Sequence, residues 1–237
     1  MADSLEGRRI VLTGASRGIG RCAAERFIAG GADVLGIARD AERLARAREE
    51  LAELGPGSFE TLVLDVTAAD SAQRLADRVA AKWGAVDTVI HNAAVMLHHD
   101  AAIMAEPEGI LEQTLDVNVL APFRATRALV PLLLEGVEPR VVNVGSGAGT
   151  HKGLTEPGIA SYRLSKWTLH GLTMLQAAEL EGQVSVIAFD PDWVKTDLGG
   201  PDAPGTPQDA ADGLLATLRL PWERTGGFFK DGKSISW

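Results

Sequence analysis

The feature that most constrains this chain is a regular alternation of two hydrophobic periodicities. Short β-branched runs at 9–13, 33–38, 59–64, 88–91, 140–144 and 184–189 are separated by longer stretches of helical spacing at 18–29, 41–54, 69–83, 107–134 and 161–180. The short runs are apolar throughout rather than apolar at every second residue, which marks strands covered on both faces. Strands that alternate with helices build βαβ units around a parallel sheet. The expectation is an α/β fold with a doubly wound parallel sheet, Rossmann-type and three-layered, forming a single domain over residues 1–237. Local signals set the joints. Asp40 caps the helix that starts at Ala41, Thr67 or Asp70 caps the next, and Gly55-Pro56-Gly57 closes the helix ending at Leu54. Pro122 and Pro131 make 107–134 more than one straight helix. Residues 201–207 read as a loop, and Asp231-Gly232 between apolar stretches of 226–237 reads as a turn beside a last strand.

Charge and cysteine content exclude several classes. A net charge of -9 argues against nucleic acid and anionic membranes as partners. The one cysteine, Cys22, allows no intrachain disulfide, which suits a reducing compartment. Residues 1–9 carry no apolar signal core, and no run approaches the roughly 20 apolar residues of a membrane span. A cytoplasmic protein is expected. His98 and His99 are adjacent rather than one helical turn apart, and no Cys/His cluster occurs, so no metal is expected.

Two motifs carry chemistry. The first run is followed by Thr13-Gly14-Ala15-Ser16-Arg17-Gly18-Ile19-Gly20 and then a helix. Its spacing is G-x3-G-x-G rather than G-x-G-x-x-G. Glycines here permit a tight turn and close approach of backbone to a pyrophosphate, and the helix N-terminus supplies free N–H groups. The second motif is Tyr162-x-x-x-Lys166, built on the only tyrosine of the chain. On a helix it puts the phenol and the ammonium on one face. A close cation favours phenolate and lowers the phenol's pKa from its ordinary value near ~10, fitting the pair for acid/base work. Ser146 ends the fifth run, where α/β folds bind ligands. Asn118 lies on the preceding helical stretch.

These motifs, in this order from about Arg9 to Thr196, resemble the short-chain dehydrogenase/reductase family, of the classical, carbonyl-reductase-like type. The resemblance implies that Asn118, Ser146, Tyr162 and Lys166 form a catalytic tetrad. Tyr162 would donate the proton, Ser146 would polarise the carbonyl oxygen, Lys166 would bond the nicotinamide ribose, and Asn118 would hold a water in the proton relay. The cofactor set would be Gly14, Ser16, Arg17, Gly18, Ile19, Gly20, Arg39, Asp65, Val66, Asn92, Ala93, Tyr162, Lys166, Pro191 and Thr196. Asp65 matches the family's adenine-contacting aspartate. His91-Asn92-Ala93-Ala94 resembles its N-N-A-G segment, with His91 and Ala94 as departures. Arg39, with Arg17, reads as a clamp for a 2′-phosphate, so NADP(H) is favoured over NAD(H). Asp40 is the counter-argument, since a carboxylate there could bond a ribose 2′-OH. Asp192 stands where the family usually has glycine, between Pro191 and Thr196.

The implied activity is NADPH-dependent reduction of a ketone or aldehyde, or its reverse, on a small-molecule carbonyl or alcohol substrate. The alternatives are an NAD-dependent alcohol dehydrogenase, a non-catalytic NADP(H)-sensing regulator, and a sugar-nucleotide epimerase or dehydratase of the extended branch. A short substrate loop is expected at about 197–207, a second loop over the substrate at 147–160 with His151 and Leu154 lining it, and a homodimer or homotetramer by resemblance.

Overall fold

In the computed structural model, which describes residues 5–99 and 102–237, each apolar run becomes a strand of one sheet. The strands are β1 (Arg9–Thr13), β2 (Asp33–Ala38), β3 (Ser58–Val63), β4 (Thr88–His91), β5 (Arg140–Val144), β6 (Ser185–Phe189), β7 (Phe228–Lys230) and β8 (Lys233–Ile235). Their order is β3-β2-β1-β4-β5-β6-β7-β8. All neighbours run parallel except β7 and β8, an antiparallel hairpin. The hairpin turns at Asp231 and Gly232, both left-handed with φ 49 and 71, as the Asp-Gly dipeptide foretells.

Alternate residues of each strand face opposite layers. Ile10 and Leu12 of β1 pack on one side with Phe27 of α1 (Gly18–Ala29) and Leu214 of α7 (Pro207–Leu218). Val11 and Leu35 pack on the other with Val79 of α3 (Ser71–Trp83) and Leu129 of α5 (Ala121–Leu133). Helix α2 (Ala41–Leu51) covers the β2–β3 edge, and α6 (Ala160–Glu179) lies along β5 and β6. The result is the expected three-layer doubly wound sheet. Among the described residues no helix is long and apolar enough to cross a membrane.

Several element bounds differ from the sequence expectation. Helix α2 stops at Leu51, before Leu54, because the chain must pass tightly under α1: a Cβ on Gly55 would lie 2.7 Å from Ile28 O. Asp40 does cap α2, its Oδ1 accepting from Arg43 N at 3.0 Å. Asp70 holds the N-cap position of α3 without a side-chain bond, and Thr67 is engaged with Asp65 instead. The stretch 107–134 becomes α4 (Ile110–Leu115), one π-helical turn (Asp116–Leu120) and α5. Pro122 follows directly on the π-helical turn at the start of α5, and Pro131 is carried inside the helix. Helix α7 was not expected. Its signal is a capping box: Thr206 and Asp209 bond each other's backbone N–H across the first turn.

Candidate functional site

The strand order reverses between β1 and β4, and a crevice opens there at the carboxyl ends of the strands. A cleft of about 1130 Å³ occupies it, running from Arg17, Arg39 and Asp65 at one end to Ser146, Tyr162 and Lys166 at the other. That exceeds the roughly 300–1,000 Å³ of a typical small-molecule site, so the cleft has room for a long ligand with a substrate beside it. Of the expected residues, Gly14, Ser16, Arg17, Gly18, Ile19, Arg39, Asp65, Val66, Asn92, Ala93, Pro191 and Thr196 line it, as do Ser146, Tyr162 and Lys166. Gly20 and Asn118 do not.

The glycine turn is built by steric necessity. Gly14 and Gly18 have φ 71 and 54, where a Cβ is costly. Gly20 serves packing: a Cβ on it would lie 2.2 Å from Gly14 O. Helix α1 has no side-chain N-cap, so the N–H groups of its first turn remain available to an anion at the cleft. Asn92 secures the turn from β4, donating from Nδ2 to Thr13 O at 2.9 Å and Gly14 O at 3.3 Å. Thr13 Oγ1 accepts from Asn92 N and Ala93 N, each at 3.0 Å. The departure at His91 is absorbed in the core, where its Nε2 lies 2.8 Å from Thr126 Oγ1. Burial pushes its pKa down to about 4, so the ring is neutral. Asp65 accepts from Thr67 N and Oγ1, and these bonds hold its carboxyl below the usual range.

Three guanidiniums gather at the adenosine end. Arg39 directly follows β2, Arg17 comes from the glycine turn, and Arg43, which sequence reasoning missed, comes from the first turn of α2. Burial, then repulsion by Arg43 and Arg39, lowers the Arg17 pKa. Asp197 crosses the cleft to pair with Arg17 and lies 3.7 Å from Arg43. Asp40 is turned to Arg43 at 3.2 Å and caps α2. Like charges brought this close mark a place suited to a multiply charged anion.

At the other end, the first turns of α6 carry Tyr162 and Lys166. The Ser146 side chain lies beside the Tyr162 hydroxyl and favours its deprotonated form. Lys166 Nζ lies 5.5 Å from the Tyr162 ring centre and donates to Val144 O at 2.7 Å. The sequence expectation of a lowered phenol pKa is not met in this state. Burial dominates and pushes Tyr162 up to about 12, while Ser146 opposes it only in part. Burial likewise pushes Lys166 down to about 8. With its ammonium committed to Val144 O, Lys166 does not offset the desolvation of the phenol.

Asn118 lies in the π-helical turn, a frequent marker of functional sites. Its side chain is spent on the protein: Oδ1 accepts from Val95 N at 2.8 Å, and Nδ2 donates to Val95 O and to Ser165 Oγ, each at 2.9 Å. It ties the strand-end segment after β4 to α6. His151 and Leu154, expected to line the substrate loop, do not reach the cleft; Ala148, Glu156 and Ile159 do. His151 turns to Trp167, with ring centres 6.5 Å apart. Sequence reasoning also missed His170, one turn below Lys166. Its Nδ1 lies 3.0 Å from Gly149 O and its Nε2 3.4 Å from Ser146 N, so it braces the segment carrying Ser146. Spacing from Lys166 was the available signal. Asp192 adopts φ 63, and Lys230 binds its carboxylate at 2.6 Å and lowers its pKa. The turn keeps the glycine-like conformation with the added charge neutralised. Among the described residues no group of three His, Cys, Asp or Glu could hold a metal.

Comparison with known proteins agrees with this geometry. The family model of short chain dehydrogenase matches residues 8–205. A 3-oxoacyl-[acyl-carrier-protein] reductase of Thermotoga maritima is 30% identical over 94% of this chain and 86% of its own length. A short chain dehydrogenase of Aspergillus terreus is 36% identical over 84% of this chain but only 44% of its own length, so the chain spans less than half of that relative. Among solved structures, NADPH-bound carbonyl reductase from chicken fatty liver is 27% identical and superposes with a TM-score of 0.88 over 98% of this chain and 100% of the other. With that match and the glycine turn, Ser146, Tyr162 and Lys166 around one cleft, the chain belongs to the short-chain dehydrogenase/reductase family of nicotinamide-dependent oxidoreductases.

Proposed function

We propose that this enzyme reduces a ketone or aldehyde to an alcohol with NADPH, or runs the reverse reaction. The observation that carries the reading is the shared cleft: the Ser146–Tyr162 hydroxyl pair beside Lys166 at one end and three guanidiniums at the other. The uncapped start of α1 and the glycine turn fit a pyrophosphate. Arg17, Arg39 and Arg43 fit the 2′-phosphate that distinguishes NADP(H). Occupation of Asp40 by Arg43 and by the α2 cap weakens the NAD reading, which needs that carboxylate free for a ribose hydroxyl. Asp65, Val66, Asn92 and Ala93 would flank the adenine and the middle of the cofactor, and Pro191 and Thr196 the carboxamide.

The nicotinamide, when bound, supplies or accepts the hydride. The Ser146 hydroxyl donates a hydrogen bond to the substrate oxygen and fixes it near Tyr162. Tyr162, protonated at neutral pH, gives its proton to that oxygen as charge develops. Lys166 would leave Val144 O for the nicotinamide ribose and place its ammonium beside the phenol, easing proton loss. Asn118 acts by position, holding the Val95 segment against α6. Residues 197–207 are assigned to the substrate loop, which is supported by Asp197, Leu198, Gly199 and Pro207 on the cleft wall. A cytoplasmic setting fits the buried free thiol of Cys22. Retention of both Tyr162 and Lys166 disfavours a non-catalytic sensor.

Consumption of NADPH and NADH over a panel of ketones and aldehydes tests the reading. The expected result is turnover favouring NADPH, lost by at least about a hundredfold in Tyr162→Phe, with the NADPH preference erased in Arg39→Ala/Arg43→Ala. Turnover with NADH alone would overturn the cofactor assignment. Tight NADPH binding with no turnover of any carbonyl would overturn the catalytic one.

A further inference from the structure

Among the charged side chains at the substrate end of the cleft, Asp190 is used by neither the sequence motifs nor the proposed mechanism. Asp190 follows β6, is 9% exposed, and lines the cleft together with Ser146, Tyr162 and Lys166. Its carboxylate is held by backbone donors. Oδ1 accepts from Asp192 N at 3.0 Å, and this donor, the nearby Gly147 N–H and Lys230 oppose the burial that raises the carboxyl's pKa. Oδ2 stands 3.3 Å from the point that a Cβ on Gly147 would occupy. Gly147 directly follows Ser146, so this charge sits one residue from the hydroxyl assigned to the reacting oxygen.

Among the described residues no cation forms an ion pair with Asp190, although Lys230 and Lys166 feel its charge. Lys230 pairs with Asp192 at 2.6 Å, Arg163 with Glu156 at 3.4 Å, and Lys166 donates to Val144 O at 2.7 Å. Lys195 is exposed at the rim. The carboxylate acts on its neighbours too: it favours the protonated forms of both Tyr162 and Lys166. A carbonyl compound entering here gives up water and faces this carboxylate.

We propose that Asp190 determines substrate charge: it makes the site accept carbonyl compounds that are neutral or cationic around the reacting group and reject those bearing a carboxylate or phosphate there. Rejection of the wrong ligand by a fixed like charge is a recognised route to specificity. The inference rests on the reductase reading, and it narrows the substrate class of that same site.

The test compares 4-formylbenzoate with its methyl ester under saturating NADPH, in wild type, Asp190→Asn and Asp190→Ser. The first variant keeps an acceptor for Asp192 N, and the second covers a folding defect in the first. Wild type is expected to favour the ester in kcat/KM by at least about tenfold, or about 1.4 kcal/mol, which two like charges several ångströms apart can supply at an effective dielectric of about 20. Removal of the charge is expected to bring the ratio to within about threefold. A wild-type ratio near one, or a ratio unchanged in the variants, overturns the proposal while leaving the reductase reading intact. Failure of wild type to reduce the ester while other carbonyls of the panel are turned over overturns this inference alone; no turnover of any carbonyl overturns the reductase reading and this inference with it.

Discussion

Burial acts on Tyr162 and Lys166 in opposite chemical senses but toward the same electrical state. It pushes the phenol up to about 12 and the ammonium down to about 8, each toward neutrality. Below the ordinary tyrosine value near ~10 the phenol is protonated in both the folded and unfolded chain. As pH rises from there through about 12, the folded form holds its proton longer, and stability falls. Tyr162 is the only tyrosine, so the phenolate absorbance of the folded protein reports it alone. Little phenolate is expected at pH 10.5 while circular dichroism remains native; a midpoint near ~10 in the folded state would refute the assignment. Lys166 gives the mirror case. Its folded pKa is depressed, so its favourable contribution is present above the ordinary lysine value of 10.5 and is lost as pH falls through about 8. Charging it in place costs about 3 kcal/mol, at 1.36 kcal/mol per unit. Lys166→Met removes that penalty along with the activity. Its stability relative to wild type is expected to improve by about 3 kcal/mol between pH 10.5 and pH 7, as read by urea unfolding at both values. An equal difference at both would show that the ammonium is not desolvated.

At the scale of elements, the sequence was legible wherever a local rule sets the structure. The six apolar runs become β1 to β6 nearly to the residue, Asp40 caps α2, and Asp231-Gly232 turns the last hairpin. It was illegible where two distant segments decide together. Helix α7 shows only a capping box in the sequence, and Arg43 and Asp190 become site residues because β2, β6 and the glycine turn meet at one crevice. The phenol pKa was misread for the same reason: Y-x-x-x-K places the cation, but only the fold shows Lys166 bonded to Val144 O. Asp192 joins the two cases. Its tolerance of left-handed backbone was readable from residue type, whereas its partner Lys230 lies on β7. Both side chains are largely exposed, so the pair itself contributes little. Asp192→Gly is therefore expected to change stability by less than about 1 kcal/mol. Asp192→Val, β-branched at φ 63, is expected to lose more than about 1 kcal/mol. Thermal denaturation of the two variants decides, and a Val variant as stable as the Gly variant would mean that the turn relaxes.

At the scale of the whole molecule, a group of apolar side chains on neighbouring elements is left uncovered by the fold. Asn118 ties the π-helical turn to α6 through Ser165, and on these elements and the start of α5 Leu120, Phe123, Trp167, Met174 and Leu175 are exposed, Leu175 at 64%. Trp167, Gly171, Met174 and Leu175 recur at helical spacing along one face of α6. A Cβ added at Gly171 would meet nothing within 4 Å, so this face is open and smooth. Clustered apolar side chains of this size on a chain with a net charge of -9 are unfavourable in water and mark an association surface. A second copy of the chain, related by a two-fold axis, would bury the face against itself. Such an interface would also brace α6 from outside, and with it Tyr162 and Lys166, which stand on the opposite side of the same helix. A homodimer or homotetramer is expected by sedimentation velocity at micromolar concentration. Leu175→Glu places a charge at the centre of the face and is expected to weaken association by at least about tenfold, since an unpaired buried charge costs several kcal/mol. Wild type that sediments as a monomer would show that the face serves another purpose. A monomeric variant that keeps full turnover would show that Tyr162 and Lys166 need no support from the interface.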